Sequence, residues 1–366
     1  MPVLFKHFRD AGIAPEQVSV LMATGTHGTP PNDGMRKKIG PEAAERCRLL
    51  VHRHDKDLVK IGRTSFGTPV YVNREVLHSD MVIGIGGIFP SSNLGFSGGS
   101  KLALGVLGIR SIAALHAKHQ DVPWGAVDRT SSFRRDLDEI AGMINMHTLV
   151  TMHVDRFRQP VRLVCGDHLT YIEEEMSLAR DIGTVPAAAE ADVVVCNTYP
   201  SDISLTIARN KGTANFRGCP STASRILIAS CSEGVGYHGL FPLLNAPALT
   251  SRWDRLRRVL SMSPGEFSRK ASVRLVDSVR RAFADEQGPT GSGAGRRHPL
   301  WIYRPGDHKE ALPAEIAGIR ITSSWTDIMD AVHAEQGNRR VLKVVMYPCA
   351  PLQCVSRPST DGENRT

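Results

Sequence analysis

The sequence predicts an α/β protein of two domains, each built on a mostly parallel sheet, and three observations carry that prediction. Apolar runs such as Met81-Val82-Ile83-Gly84-Ile85 and Val193-Val194-Val195-Cys196 read as strands buried on both faces. These runs alternate with segments of helical character, the pattern of crossover connections between parallel strands. The chain has 366 residues, enough for about two domains of ~100–200 residues each.

In chain order, Gln17 to Thr24 reads as a strand running into the loop Gly25-Thr26-His27-Gly28. Pro41 to Leu50 has helical character, and Leu49 to His52 begins another strand. Pro69 to Val72 is a short strand, and Met81 to Ile85 is the strongest one. A second domain starts near Pro186, with a strand over Ala191 to Asn197. Helix-to-strand character from Thr222 ends in the strand Arg225 to Ser230. Trp253 to Phe283 reads as helices broken at Ser263-Pro264-Gly265, and Gly288 to Gly295 (GPTGSGAG) as a linker. Pro299 to Tyr303 is a strand, Asp327 to Gln336 a helix and Arg340 to Met346 a last strand, after which the tail from Pro351 is expected to fray. The domains are therefore 1–186 and 187–338, with 339–366 a candidate to return to the first.

Composition excludes several classes. Hydrophobic residues at 41% and charged residues at 22% are ordinary globular usage, not that of a disordered chain or fibre. No apolar run approaches the ~20 residues of a membrane helix, so no membrane partner is expected, and the first residues have no signal-peptide apolar region. Seven cysteines without a CxxC spacing read as reduced thiols in a cytoplasmic protein. The net charge of +8 is concentrated between Ser251 and Leu300, where eleven Lys/Arg face five Asp/Glu. Arg252, Arg255, Arg257 and Arg258 lead that run, which reads as a solvated helical face that could also attract an anionic small substrate. Aromatics are only 6%, too few for base-stacking platforms, so no nucleic-acid partner is expected.

The distinctive stretch is G-I-G-G-I-F-P-S-S-N-L-G-F-S-G-G-S-K, Gly84 to Lys101, directly after the strongest strand. Its glycine density implies close approach of backbone to something. It is not a P-loop: Gly95 to Leu102 has Ser100 where the second glycine belongs and Leu102 where Ser or Thr belongs. Lys101, at the end of the loop, could bind an anion or act as a nucleophilic amine. His27 follows a strand, where ligands of open parallel sheets bind, and suits acid/base work. His116 and His119, three residues apart, could share a helix face, although the pair alone is weak evidence for a metal.

Ala23-Thr24-Gly25-Thr26-His27, Gly95-Phe96-Ser97-Gly98-Gly99-Ser100-Lys101, Ser111-Ile112-Ala113-Ala114-Leu115-His116, and Tyr199-Pro200-Ser201-Asp202-Ile203-Ser204-Leu205 with Lys211 and Cys231-Ser232-Glu233-Gly234 follow one another in order. Together, over about residues 10–350, they resemble the lactate racemase family of nickel-dependent 2-hydroxyacid racemases and epimerases. The resemblance implies two α/β domains with a cofactor cleft between them. It implies a cofactor, the pyridinium-3,5-bisthiocarboxylic acid mononucleotide or nickel-pincer nucleotide, attached to Lys101 and bordered by Ser97, Gly98 and Gly99. It implies nickel ligation by His116, a mode suited to Ni(II) with sulfur ligands, and proton-coupled hydride transfer on a small 2-hydroxy acid. His27 and Lys211 take the catalytic positions, with Asn197, Tyr199 and Asp202 near the substrate.

Three departures stand out. Ser91 occupies the position where the family has a second acid/base histidine, and serine at its free pKa is a poor base. Ser100 replaces a basic residue before the lysine. The family's leading segment, with a strand ending in Asp-x-Thr-Arg-Pro, has no counterpart, since the sequence holds no Thr-Arg-Pro. A neighbouring strand with an unpaired edge is therefore expected. The polar Ser91-Ser92-Asn93 would suit a sugar acid better than lactate. The alternative is a non-catalytic or degenerate member that binds the cofactor or a small anion without turnover.

Overall fold

The computed structural model describes the chain apart from residues 29–34, 37–38, 147, 171, 239, 241–297, 307–311, 317 and 357–366. The helices expected over Trp253 to Phe283, their arginine-rich face and the linker at 288–295 lie outside the described residues, as does most of the tail.

The first unit is assembled from short sheets. β1 (Ser19–Met22) pairs in parallel with β2 (Arg48–Val51), and β3 (Leu58–Arg63) forms an antiparallel hairpin with β4 (Pro69–Asn73). β5 (Ile83–Gly87) enters the glycine-rich stretch, where β6 (Pro90–Ser91) and β7 (Gly95–Phe96) fold the loop back on itself. β5 also pairs in parallel with β8 (Thr148–Val154), which pairs antiparallel with β9 (Pro160–Gly166). Among the described residues β1 has no strand partner but β2, and β5 none but β8. Both lie against the 3₁₀ segment Gly99–Val106: a Cβ on Gly105 would meet Ala23, and one on Gly86 would meet Leu102. β5, expected to be buried on both faces, has no fully buried residue, and its Ile85 is 53% exposed, because only β8 and the 3₁₀ segment pack against it among the described residues.

The helix Ser132–Met143 is begun by the Ser131 side chain accepting from the Arg134 N–H. Phe133, Leu137, Ile140 and Ala141 fall at helical spacing on one buried face. They form the first core with Leu94, Leu107, Leu115 and Leu149, each such side chain contributing roughly 1.5–3 kcal/mol on burial.

The second unit follows the short β10 (Thr184–Val185). Its six strands are β11 (Val193–Asn197), β12 (Ser224–Ile228), β13 (Leu300–Tyr303), β14 (Glu315–Ile316), β15 (Ile319–Thr322) and β16 (Val344–Tyr347). They stand in the order β14-β15-β13-β12-β11-β16, parallel except for β14. The fold is α/β with mostly parallel pairing. β11, flanked by β12 and β16, is buried over Val193 to Cys196, which is why its sequence is continuously apolar. The last sequence-predicted strand thus belongs to the second sheet, so the return to the first unit begins later than 339. It is made by Gln353, whose carbonyl accepts from Trp124 Nε1 at 3.1 Å, and by Cys354, which packs with Ile88, Phe96 and Ile172. There, β17 (Cys354–Val355) pairs with β10. All seven cysteines are free. No helix among the described residues is long and apolar enough to cross a membrane.

Candidate active site

The loop leaving the carboxyl end of β1 is shaped by Gly25, with φ +55°. Its N–H donates to the Gly105 carbonyl at 2.9 Å, and the His27 N–H donates back to the Thr24 carbonyl at 3.0 Å. The Thr24 hydroxyl ties the loop to the His52 carbonyl at 2.8 Å. The loop therefore rests on the same 3₁₀ segment that carries Lys101.

Positive φ at Gly95, Gly98 and Gly99 bends the glycine-rich stretch. At Gly95 a Cβ would lie 1.9 Å from the Ala126 carbonyl oxygen, and at Gly98 2.6 Å from Ile88. The Ser97 hydroxyl accepts from the Phe89 N–H at 2.8 Å and lies 3.0 Å from the Gly87 carbonyl, stapling the two arms of the loop. Arg134, fully buried, donates to the carbonyls of Gly98 (2.9 Å), Phe96 (2.8 Å) and Leu94 (3.4 Å). These carbonyls lose water on burial, and the guanidinium fork replaces it. The Lys101 ammonium donates to the Ser91 hydroxyl, which itself donates to the Ser92 carbonyl at 2.9 Å. Ser91 is thus engaged as a support for Lys101.

His116 lies on the helix Ile109–Lys118, its ring edge-to-face with Phe133. Its Nδ1 is 2.8 Å from the Ile112 carbonyl, which fixes the proton on Nδ1 and leaves a lone pair on Nε2. That is the arrangement of a metal-binding imidazole oriented from behind. His119, its i+3 neighbour, is instead committed to Asp136 (2.8 Å) and Ser132 (2.9 Å) in a buried network. Among the described residues no three His, Cys, Asp or Glu side chains converge on a metal-sized space. Lys211, on the helix Leu205–Gly212 of the second unit, places Nζ 5.5 Å from the Trp124 ring centre of the first.

Electrostatics tie these groups together. Burial lowers the Lys101 pKa well below its ordinary value, with Lys211 and Arg134 adding like-charge repulsion. Burial lowers Lys211 to about 8. His27 is lowered to about 4, first by the protein packed around it, then by Lys211 and Lys101. His27 as a whole residue is nevertheless exposed to solvent. Burial also lowers His116, and Lys101 acts in the same direction. The lowered values mean that His27, Lys101 and His116 shed their protons more readily than free side chains, whereas Lys211, at about 8, keeps its charge at neutral pH and can attract an anion.

The other expected residues have different surroundings. Tyr199 carries the Arg158 guanidinium 4.0 Å from its ring centre, and its N–H donates to the Asn197 side chain at 3.1 Å. The Asp202 carboxylate accepts from the Ser230 N–H at 3.2 Å, tying the 198–204 turn to the loop after β12. Three participants escaped the sequence reading: Arg134, Trp124 and His238. The His238 and His27 rings meet edge to face, centroids 4.5 Å apart. All three act through contacts distant in sequence, although Arg134 stands conspicuously on an apolar helix face.

Residues 1–124 match the model of the lactate racemase N-terminal domain. A lactate racemase of Thermoanaerobacterium thermosaccharolyticum is 25% identical over 250 residues, covering 66% of this chain and 58% of that protein. The chain thus spans less than two thirds of that relative's length. The structure of the lactate racemase apoprotein from the same organism superposes with a TM-score of 0.67 at 18% identity, covering 97% of this chain and 82% of the other. A crystal structure of a Thermotoga maritima protein overlaps less, with a TM-score of 0.48 at 17% identity over 62% of this chain and 60% of the other.

Proposed function

We propose that this chain, similar to lactate racemases in its first 124 residues and in its fold, is a racemase or epimerase of a small 2-hydroxy acid, working with nickel in the pyridinium-3,5-bisthiocarboxylic acid mononucleotide. One observation carries the reading: a desolvated Lys101 amine has within its electrostatic reach His27 and a His116 whose Nε2 lone pair is set by the Ile112 carbonyl. The donor set fits the nucleotide. Lys101 supplies the amine for attachment and His116 the imidazole ligand for nickel. When bound, the group supplies a ring that accepts and returns the substrate's C2 hydride.

This chain's own residues do the rest. His27, neutral above about pH 4, accepts the proton of the substrate hydroxyl. Lys211, held near Trp124, offers positive charge to the substrate carboxylate. Arg134 fixes the three carbonyls of the loop that presents Lys101, so the amine is positioned before anything binds.

The test is intact mass with nickel content, after production in cells that make the nucleotide. A mass increment abolished in Lys101→Ala, with nickel lost in His116→Ala, is the expected result. A screen of lactate and sugar acids should then show loss of optical purity. No increment and no nickel would overturn the reading. A second reading, a member that binds without turnover, is favoured by the engagement of Ser91 with Lys101 and the Ser92 carbonyl. Full loading with retained optical purity across the screen would select it.

A further inference from the structure

The site described above takes His116 from the helix Ile109–Lys118. It lies near the segment that follows β12 and crosses onto the first unit, where Tyr237 stacks on His54 and Leu240 enters the first core. His119, at the end of the same helix, serves a second cluster. Its Nε2 lies 2.8 Å from the Asp136 carboxylate and its Nδ1 2.9 Å from the Ser132 hydroxyl. A carboxylate can only accept, so the proton sits on Nε2 and the Nδ1 lone pair faces Ser132. Asp136 is oriented in turn by the Thr68 hydroxyl, which donates to the same oxygen at 2.6 Å. Two rings hold the imidazole: Phe133 stacks on it at 5.4 Å and Phe66 meets it edge to face at 5.5 Å. The His119 and Asp136 side chains are 4% and 0% exposed, whereas Ser132 is open to solvent. Nucleophile, base and orienting carboxylate thus form one chain of hydrogen bonds, with the nucleophile at its solvent end.

Ser132 is also the first residue of the helix Ser132–Met143, so its N–H and that of Phe133 have no intrahelical acceptor. N–H groups at such a helix start can receive a developing oxyanion. Space for a substrate is present beside them. A cleft of about 530 Å³ is lined by Arg129, Thr130, Arg135, Asp138 and Glu139. Arg135 and Glu139 stand three and seven residues beyond Ser132, on its own face of the helix.

We propose that Ser132, His119 and Asp136 form a second catalytic centre, one that hydrolyses small carboxylic esters. His119 Nδ1 takes the hydroxyl proton as Ser132 Oγ bonds to the ester's carbonyl carbon. The ester C–O bond then breaks, and the departing alcohol oxygen takes that proton. Water attacks the acyl carbon next and gives a proton to Nδ1. The bond from Oγ to the acyl carbon breaks, Oγ recovers the proton, and the acid leaves. Ester and water become acid and alcohol, with water the only co-reactant. Asp136 holds the ring and balances the charge it gains at each proton transfer.

The test is labelling of the full chain, without nucleotide or nickel, by a small alkyl fluorophosphonate, read by intact mass and peptide mapping. Fluoride leaves phosphorus as Ser132 Oγ bonds to it. One phosphonyl group per chain is expected on Ser132, absent in Ser132→Ala and in denaturing urea. His119→Gln and Asp136→Asn should slow labelling by about 10²–10⁴-fold, and hydrolysis of p-nitrophenyl acetate should fall with it. A wild-type chain that takes up no phosphonyl group on Ser132 would overturn the proposal. A folded His119→Gln variant labelled as fast as wild type would do the same. If substitution of the buried pair unfolds the chain, Ser132→Ala, at an exposed helix start, still decides: unchanged ester hydrolysis in that variant overturns the proposal. No step uses the nucleotide, so failure here leaves the racemase reading untouched.

Discussion

Arg134 is the residue whose burial says most about the site. A guanidinium without solvent is costly unless its hydrogen bonds are met, and here the carbonyls of Gly98, Phe96 and Leu94 meet them. Arg134→Met would leave those carbonyls without a donor, each costing about 1–3 kcal/mol. The expected loss is about 3 kcal/mol or more in urea unfolding, and a variant as stable as wild type would show that the loop holds itself. Lys101, His27 and His116 were legible because each stands in a short local motif. Arg134, Trp124 and His238 were not, since their roles come from partners 36 to 229 positions away and no local pattern encodes such a meeting.

The glycine-rich stretch shows how an element can be readable and its reason hidden. Its density of glycine implied close backbone approach, and the structure shows to what: Ala126, Ile88, Ile172 and Leu102. The glycines are filled by the protein's own packing, and Lys101 is presented as a consequence. Gly95→Ala meets both a φ of +69° and a carbonyl oxygen at 1.9 Å, so about 2–4 kcal/mol of destabilisation is expected. Thermal denaturation checks this, and an unchanged Tm would mean that the Ala126 segment yields easily. Buried strands such as β11 and β12 were legible from apolar runs. β8 was missed because buried residues alternate with more exposed ones along it, which dilutes any apolar run, and β9 because it buries none of its residues. The placement of β16 beside β11 could not be read at all, because strand order is a tertiary property.

At the scale of the whole molecule, the histidines make stability depend on acidity. His27 and His238 are lowered from 6.5 to about 4 and about 3. Between those values and 6.5 the unfolded chain binds more protons than the folded one, so stability rises with pH there. It should therefore be lost as pH falls from about 6.5 towards 4, shown by a falling urea midpoint. The double variant His27→Gln, His238→Gln should flatten that slope, and an equally steep fall would assign the acid sensitivity to other groups. The crossing that sets Tyr237 on His54 and Leu240 in the first core could not be read from the sequence. That crossing sets an order of events during synthesis. Leu240 completes a core whose other members lie between Val70 and Leu149. On a ribosome, where domains commonly fold as they emerge, the first half must wait for residue 240 to clear the exit tunnel. Until then it is a nascent chain with an unfinished interior, a ready client for whatever chaperone stands at the tunnel mouth.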